Sequence, residues 1–211
     1  MSLEILNFEY QENHFENVGN DILKELETNT EIALFTDEFE NIKTIKFIKC
    51  GYGIDEFYPN CNEYFKLYSD NAYNFLGFTF INYNSFSYID VYLNGDSLNL
   101  ALGDYLIILF EDGHKIKYTF QKARSGDRYH SSNIIPLSTE ILFSLLTKNI
   151  EKVKVVSTRK NLYAIYSLNE KSNEGMQYLY FNYKYTTKKS GQLILKYMAY
   201  RFIEFNLKNK I

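Results

Sequence analysis

The fold is decided by residues 75–120, which read FLGFTFINYNSFSYIDVYLNGDSLNLALGDYLIILFEDGHKIKYTF. Apolar segments in this stretch are separated by four sites of reversal, at Asn84-Ser85, Asn94-Gly95, Leu102-Gly103 and Asp112-Gly113. Asn-Gly and Asp-Gly favour two-residue hairpin turns, because both central residues of such a turn need positive φ. The spacing therefore predicts an antiparallel β-meander of five strands.

The register of this meander follows from its turns, because side chains alternate between the two faces of a strand. A turn at Asn84-Ser85 pairs Phe80 with Ile89. A two-residue loop at Asp112-Gly113 pairs Leu109 with Ile116 and Tyr105 with Phe120. The predicted core face consists of Leu76, Phe78, Phe80, Ile89, Val91, Leu93, Leu98, Leu100, Tyr105, Ile107, Leu109, Ile116, Tyr118 and Phe120. The aromatic residues of the opposite, outer face are Tyr83, Phe86, Tyr88 and Tyr92. That face becomes apolar only at Leu106, Ile108 and Phe110, so we expect this one strand to be covered on both faces.

Two helices are predicted to cover the core face. The first runs over about 138–148, with Ser138 as its N-cap and Glu140 near the positive end of its dipole. Its apolar stripe is Leu137, Ile141, Leu142, Leu145 and Leu146. The run from 192 to 207 has apolar residues at both helical and strand spacing, and its length favours a helix over 192–206. We therefore predict an α+β fold, with a closed or two-layer β structure as the alternative.

Shorter patterns predict the flanking elements. Strands are expected at 5–10, 31–36, 42–50, 150–157, 161–168 and 176–185, and a short helix after Asn20. Residues 54–73 are aromatic but irregular, and they fit a packed loop or a short helix. Residues 121–133 form the longest polar insertion, and loops of that length are often functional.

The composition is that of one globular unit. The chain has 211 residues, of which 45% are hydrophobic and 23% are charged, so we expect a single domain over 1–211. The start of the chain lacks a basic region followed by an apolar core, and no stretch approaches the roughly 18 apolar residues of a membrane span. We therefore expect a cytoplasmic protein, with Cys50 and Cys61 as free thiols. Frequent Asn, Lys, Ile and Tyr are typical of AT-rich bacterial or phage genomes.

Charge is distributed unevenly along the chain. Residues 1–150 contain 11 Lys and Arg against 22 Asp and Glu, a net charge of −11, whereas residues 151–211 contain 12 against 4, a net charge of +8; together they give −3. One interpretation is that the acidic N-terminal part (1–63) and the basic C-terminal part (151–211) neutralise each other within one fold. The other is a basic surface for nucleic acid or for an acidic protein partner.

The sequence contains few signals of catalysis. It has no phosphate-binding loop, no H-E-x-x-H, no G-x-S-x-G and no C-x-x-C. We therefore expect no cofactor and no metal site. Asp127 and His130 lie close together in the 121–133 loop, beside Arg124 and Arg128, and these residue types suit a hydrolytic or phosphoryl-transfer site. A polar, solvated loop accounts for the same residues.

The leading hypothesis is a non-enzymatic interaction protein, such as an immunity-like inhibitor, an accessory factor or an assembly subunit, with a protein partner. Its candidate binding residues are Tyr83, Phe86, Tyr88, Tyr92, Arg124 and Arg128, because tyrosine adds contact area with little loss of entropy. The first alternative is a small hydrolase or nuclease that uses the 121–133 loop. The second is nucleic-acid binding through the basic C-terminal part, where lysines and tyrosines alternate.

Overall fold

A computed structural model of the chain describes residues 30–37, 42–49, 65–69, 74–83, 86–95, 98–123, 130–168 and 188–209. This part of the chain forms ten strands and two helices. The strands are β1 (Thr30–Asp37), β2 (Ile42–Lys49), β3 (Phe65–Tyr68), β4 (Phe75–Tyr83), β5 (Phe86–Asn94), β6 (Tyr105–Phe110), β7 (Lys115–Thr119), β8 (His130–Pro136), β9 (Ile150–Ser157) and β10 (Leu162–Tyr166). The helices are α1 (Thr139–Thr147) and α2 (Lys188–Asn209).

The strands form two antiparallel sheets. A six-stranded sheet has the order β1-β2-β4-β5-β8, with β3 also paired to β4, and a four-stranded sheet has the order β10-β9-β6-β7. An antiparallel bridge joins the sheets in the described part of the chain, where the backbones of Tyr68 and Ser167 exchange two hydrogen bonds of 2.8 Å. The predicted α+β class is confirmed, and so are both predicted helices.

The hairpin formed by β4 and β5 has the predicted register. Leu76 lies opposite Leu93, Phe78 opposite Val91 and Phe80 opposite Ile89, and all six side chains are buried. The expected turn at Asn84-Ser85 and the hydrophobic alternation agree on this register, because a shift of one residue would have moved every apolar side chain to the other face.

The prediction that the meander continues as one sheet is wrong. β5 pairs with β8 rather than with the next stretch of chain, and β6 and β7 belong to the other sheet. Leu98 and Leu100 are still buried in the core, but Leu100 is held by side chains of β8. Its N–H donates to Ser131 Oγ at 3.0 Å, and its carbonyl accepts from Asn133 Nδ2 at 2.7 Å. These bonds satisfy buried backbone groups that a strand partner would otherwise satisfy.

The hairpin between β6 and β7 is also shifted from the predicted register. Gly113 N–H donates to Phe110 O at 2.9 Å, and Phe110 N–H donates to His114 O at 3.0 Å, so the loop has three residues. Gly113 adopts φ +84°, as the last residue of a type I turn with a bulge requires. Asp112 Oδ1 also accepts from the His114 N–H at 2.9 Å. An Asp-Gly pair therefore suits this loop as well as the two-residue turn that we expected.

The shift exchanges the two faces of β6. Leu106, Ile108 and Phe110 are buried in the core, whereas Tyr105 and its alternate neighbours on β6 are partly exposed. Tyr105 now lies opposite Thr119 rather than Phe120. The expectation that Tyr105, Ile107 and Leu109 line the core is therefore wrong.

Helix α2 contacts α1, β3 and β4. Its buried apolar residues are Leu195, Met198, Ala199, Phe202 and Ile203, and they belong to one core cluster with residues of both sheets and of α1. Near the start of α2, Gln192 Oε1 accepts from Ile150 N–H of β9 at 2.9 Å, and Gln192 Nε2 donates to Ile150 O. Near its end, Asn206 Oδ1 accepts from Asn82 Nδ2 of β4. The helix thus bonds to the four-stranded sheet near its start and to the six-stranded sheet near its end.

The remaining expectations have mixed outcomes. Ser138 Oγ accepts from Ile141 N–H at 3.2 Å, which confirms the N-cap of α1. The strands expected near 31–36, 42–50, 150–157 and 161–168 are confirmed as β1, β2, β9 and β10. The end of the expected 121–133 loop is instead the start of β8, and part of the 54–73 region is β3. The elements expected at 5–10, after Asn20 and at 176–185 lie outside the described residues.

Replacing Gly113 with alanine tests the hairpin. A Cβ at this position would meet no atom within 4 Å, so the cost comes only from the left-handed backbone, about 1–2 kcal/mol for an L-residue. We expect Gly113→Ala to lower the free energy of unfolding by about that amount in urea titrations. Gly113→Asn is the matched control and should lose less, because asparagine tolerates this conformation. Equal losses in both variants would contradict the proposed loop.

Candidate functional site

The predicted catalytic residues are only partly described. Arg124, Asp127 and Arg128 lie outside the described residues, so the site expected around them stays a prediction. His130 is the first residue of β8, where its backbone lies opposite Asn94 of β5. His130 is therefore part of a sheet ladder and not of a free loop.

The predicted aromatic binding residues share a hairpin but differ in exposure. Tyr83 and Phe86 lie opposite each other at the end of the β4–β5 hairpin, and Phe86 is 67% exposed. Tyr88 and Tyr92 are only partly exposed. The Tyr92 ring centroid lies 5.7 Å from that of Phe75, so Tyr92 packs against its own sheet.

Tyr88 also has neighbours from elsewhere in the chain. Lys122 Nζ lies 6.0 Å from the centre of its ring. Burial raises the pKa of Tyr118 above its ordinary value, and the nearby Tyr88 phenol adds to that rise. Between Tyr88 and Tyr92, the Thr79 side chain on β4 is fully buried. This aromatic face is therefore open mainly at Phe86.

A second face, which the sequence analysis did not identify, is the outer side of the four-stranded sheet. We call it the lysine–tyrosine face. Its side chains lie in three rows across the strands: Thr119, Tyr105, Val156 and Tyr163; then Lys117, Ile107, Lys154 and Ile165; then Lys115, Leu109 and Lys152. All eleven side chains are exposed or partly exposed. The face combines apolar side chains with four positive charges.

Two lysines of this face lie over aromatic rings, and one pairs with a carboxylate. Lys117 Nζ lies 4.2 Å from the ring centre of Tyr105, and Lys154 Nζ lies 4.1 Å from that of Tyr163. Lys152 pairs with Glu151 at 2.9 Å. Within the described ranges, Lys115, Lys117 and Lys154 have no carboxylate partner. Three positive charges on the face are therefore available to an incoming anion.

Exposed apolar area accompanies these charges. Tyr163 is 62% exposed and Ile165 is 46% exposed, and both lie on β10 at the edge of the sheet. Large exposed apolar side chains that cluster, rather than lie singly, are typical of contact surfaces. The arrangement can bury apolar surface and pair with negative charge in the same contact.

The one-residue shift in the β6–β7 hairpin explains why this face was missed. The expected register placed Tyr105 and Ile107 in the core, away from Lys115 and Lys117. The signal that points to the face is the alternation of lysines along β7, once Lys117 is aligned with Ile107 instead of Ile108. Only the three-residue loop gives that alignment.

A separate polar cluster lies where α2 meets the β6–β7 loop. The buried Lys196 Nζ donates to Asn149 Oδ1 at 2.8 Å, and Asn149 Nδ2 donates to Glu111 Oε2 at 3.0 Å. Next to it, Lys148 and Asp112 form an ion pair of 2.5 Å, and the hydrogen bonds from Lys148 and from a backbone N–H lower the pKa of Asp112. Because Lys196, Asn149 and Glu111 are bonded to one another, this cluster serves to attach α2 to the loop.

Other kinds of site have less support in the described part of the chain. No group of three or more His, Cys, Asp or Glu residues there has the arrangement of a metal site. Neither of the described helices is long and apolar enough to cross a membrane. Comparison of the chain with protein families, with curated proteins and with solved structures finds no significant match.

The pH dependence of stability should report on Lys196. Burial lowers the pKa of Lys196 below its ordinary value, and the nearby Glu111 partly opposes the shift. Between the lowered pKa and about 10.4, the unfolded chain binds more protons than the native protein, so the free energy of unfolding rises with pH. We expect Lys196→Met to flatten this rise, measured by urea unfolding between about pH 7 and about pH 10.

The upper limit of the scan avoids the tyrosines. Burial raises the pKa of Tyr166 to about 12, and its titration lowers stability above about pH 10, where the unfolded phenol ionises first. Lys148→Met, at an exposed ion pair, is the matched control and should keep the rise. An unchanged slope in Lys196→Met would contradict the assignment.

Proposed function

We propose that the protein is a non-enzymatic interaction protein that binds an acidic protein partner through the lysine–tyrosine face. The observation that carries the proposal is that Lys115, Lys117 and Lys154 have no carboxylate partner among the described residues. They lie on one face with the exposed side chains of Tyr163 and Ile165. The biological setting that we propose is cytoplasmic, as an inhibitor, an accessory factor or an assembly subunit.

Burial of apolar surface and charge complementarity both support binding at this face. Covering Ile107, Val156 and Ile165 removes apolar area from water, which contributes about 25 cal/mol per Å² before the costs of association. Tyr105 and Tyr163 lose little side-chain entropy on binding. Charge complementarity with Lys117 and Lys154 would speed the encounter and disfavour partners without negative charge. A partner with an apolar centre and surrounding acidic side chains would provide both the apolar contact and the opposite charge.

Single-stranded nucleic acid is a second candidate, because lysines next to tyrosines also suit a phosphate backbone with stacked bases. The geometry favours a protein. Lys117 and Lys154 already lie over the rings of Tyr105 and Tyr163 that would have to stack with bases.

The hydrolase or nuclease alternative, which uses Asp127 and His130, stays a prediction. The double variant Asp127→Ala with His130→Ala would test it. The alternative requires that this variant lose any hydrolytic activity that the unmodified chain shows. The proposal of an interaction protein makes no use of these residues.

Charge reversal tests the proposed function. The probe is fluorescent poly-L-glutamate, titrated with the full-length chain at low and at physiological salt. We expect Lys117→Glu with Lys154→Glu to weaken binding by at least about tenfold, since each removes an attraction and adds a repulsion on the face. The salt dependence of binding should fall as well.

The matched control changes net charge equally elsewhere. Lys122→Glu with Arg159→Glu alters two exposed basic residues outside the lysine–tyrosine face and should change the affinity by less than about threefold. Equal losses in the two double variants would contradict the proposal, as would no loss in either. Tighter binding of an oligothymidylate than of poly-L-glutamate at the same salt would favour nucleic acid instead. Circular dichroism of each variant establishes that it is folded.

A further inference from the structure

The β10 edge of the four-stranded sheet, where no described strand pairs with Leu162–Tyr166 on the outer side, has features of a strand-docking site. β10 pairs with β9 on one side and is the end of the sheet order. Its sequence, Leu162 to Tyr166, contains no charge, no proline and no glycine. Natural edge strands are usually protected against pairing with another chain by charged side chains, prolines, bulges or short length. β10 lacks these protections apart from its short length.

The pattern of hydrogen bonds identifies which backbone groups are free. Ser167 exchanges two hydrogen bonds with Tyr68 on the outer side of this edge. Because hydrogen-bonding groups alternate between the two sides of a strand, the N–H and C=O of Tyr163 and Ile165 point to the same side as those of Ser167. Within the described part of the chain no strand pairs with them. Two adjacent donor and acceptor pairs are therefore available.

We propose that β10 binds an extended acidic segment of the partner by strand addition. Tyr163 and Ile165 would supply backbone hydrogen bonds to the segment, as in other complexes in which a peptide extends a sheet. The inference rests on the proposed function for the charge of the partner, and it adds the mode of binding. The lysine–tyrosine face then continues onto the added strand.

The position of Lys154 explains why the segment should be acidic. Lys154 lies opposite Ile165 on the neighbouring strand, and its ammonium group reaches over the ring of Tyr163. A side chain on an added strand next to Tyr163 or Ile165 lies about 4.5–5.5 Å away between Cβ atoms. A carboxylate there reaches the Lys154 ammonium group, which has no carboxylate partner among the described residues.

The same lysine disfavours a second copy of this chain as the occupant. Two β10 strands paired edge to edge would bring the two copies of Lys154 towards each other across the new sheet. The two ammonium groups, each of which lies over a Tyr163 ring on the edge strand, would repel each other. A partner segment with alternating acidic and apolar residues avoids the repulsion and pairs with the lysine.

The first test uses amide hydrogen exchange in the unmodified protein. The probe is a capped eight-residue peptide of alternating Glu and Val, and the control probe is the same peptide with Lys in place of Glu. We expect saturation with the acidic peptide to slow exchange of the Tyr163 and Ile165 amides by at least about tenfold, because both become hydrogen-bonded. The Lys-containing peptide should leave both rates unchanged.

Variants separate this inference from the proposed function. Ile165→Pro removes the free N–H without removing a bond to β9, since proline is tolerated on sheet edges, and it should weaken binding of the acidic peptide by at least about tenfold. Ile165→Val keeps the N–H and should stay within about threefold. Lys154→Glu should also weaken binding strongly.

These measurements distinguish failure of strand addition from failure of the proposed function. Binding that is lost in Lys154→Glu but unchanged in Ile165→Pro, or acidic-peptide binding that leaves the Tyr163 and Ile165 exchange rates unchanged, would overturn strand addition and leave the proposed function intact. Binding that survives both substitutions would overturn both. Concentration-dependent dimerisation of the unmodified chain that Ile165→Pro abolishes would show that a second copy occupies the edge. The exchange measurement needs no variant, so a misfolded proline variant would not prevent the test.

Discussion

The loop at Gly113 is the constraint on which the two faces of the four-stranded sheet depend. Its positive φ closes a three-residue hairpin, and the hairpin aligns Ile108 with Ile116 and Ile107 with Lys117. A shift of one residue would exchange every side chain between the faces. Because of this loop, Ile108 lies in the core, and the side of the sheet that carries Ile107 also carries the lysines of β7 and β9. The candidate binding surface is therefore a direct result of one backbone conformation.

The two sheets are held in one core by side chains that take the place of strand partners. Gln192 bonds both backbone groups of Ile150, and Asn133 bonds the carbonyl of Leu100. The buried Asp104 carboxylate accepts from the N–H groups of Ala101 and Thr158, which ties the crossover between the sheets to the turn before β10. Buried polar groups without partners are costly, so these bonds determine where the chain can leave one sheet and enter the other.

Sequence patterns predicted the elements better than their arrangement. The β4–β5 register and the helix capped by Ser138 follow from local alternation and capping, and both are confirmed. The division into two sheets depends on bonds from Ser131 and Asn133 to a distant backbone, and periodicity has no information on such bonds. The alternating lysines of β7 and β9 can be read from the sequence, but the alignment of Lys117 with Ile107, beside Tyr105, depends on the loop at Gly113.

The proposed contact between an acidic partner and the outer face of the four-stranded sheet can be located residue by residue. The most direct measurement is the change in backbone amide chemical shifts of the isotope-labelled chain during titration with poly-L-glutamate. We expect the largest changes on β6, β7, β9 and β10, around Lys117, Lys154 and Tyr163, with little change at Tyr88 and Tyr92. Changes concentrated on Tyr88 and Tyr92 of the six-stranded sheet, with Lys117 and Lys154 unaffected, would contradict it.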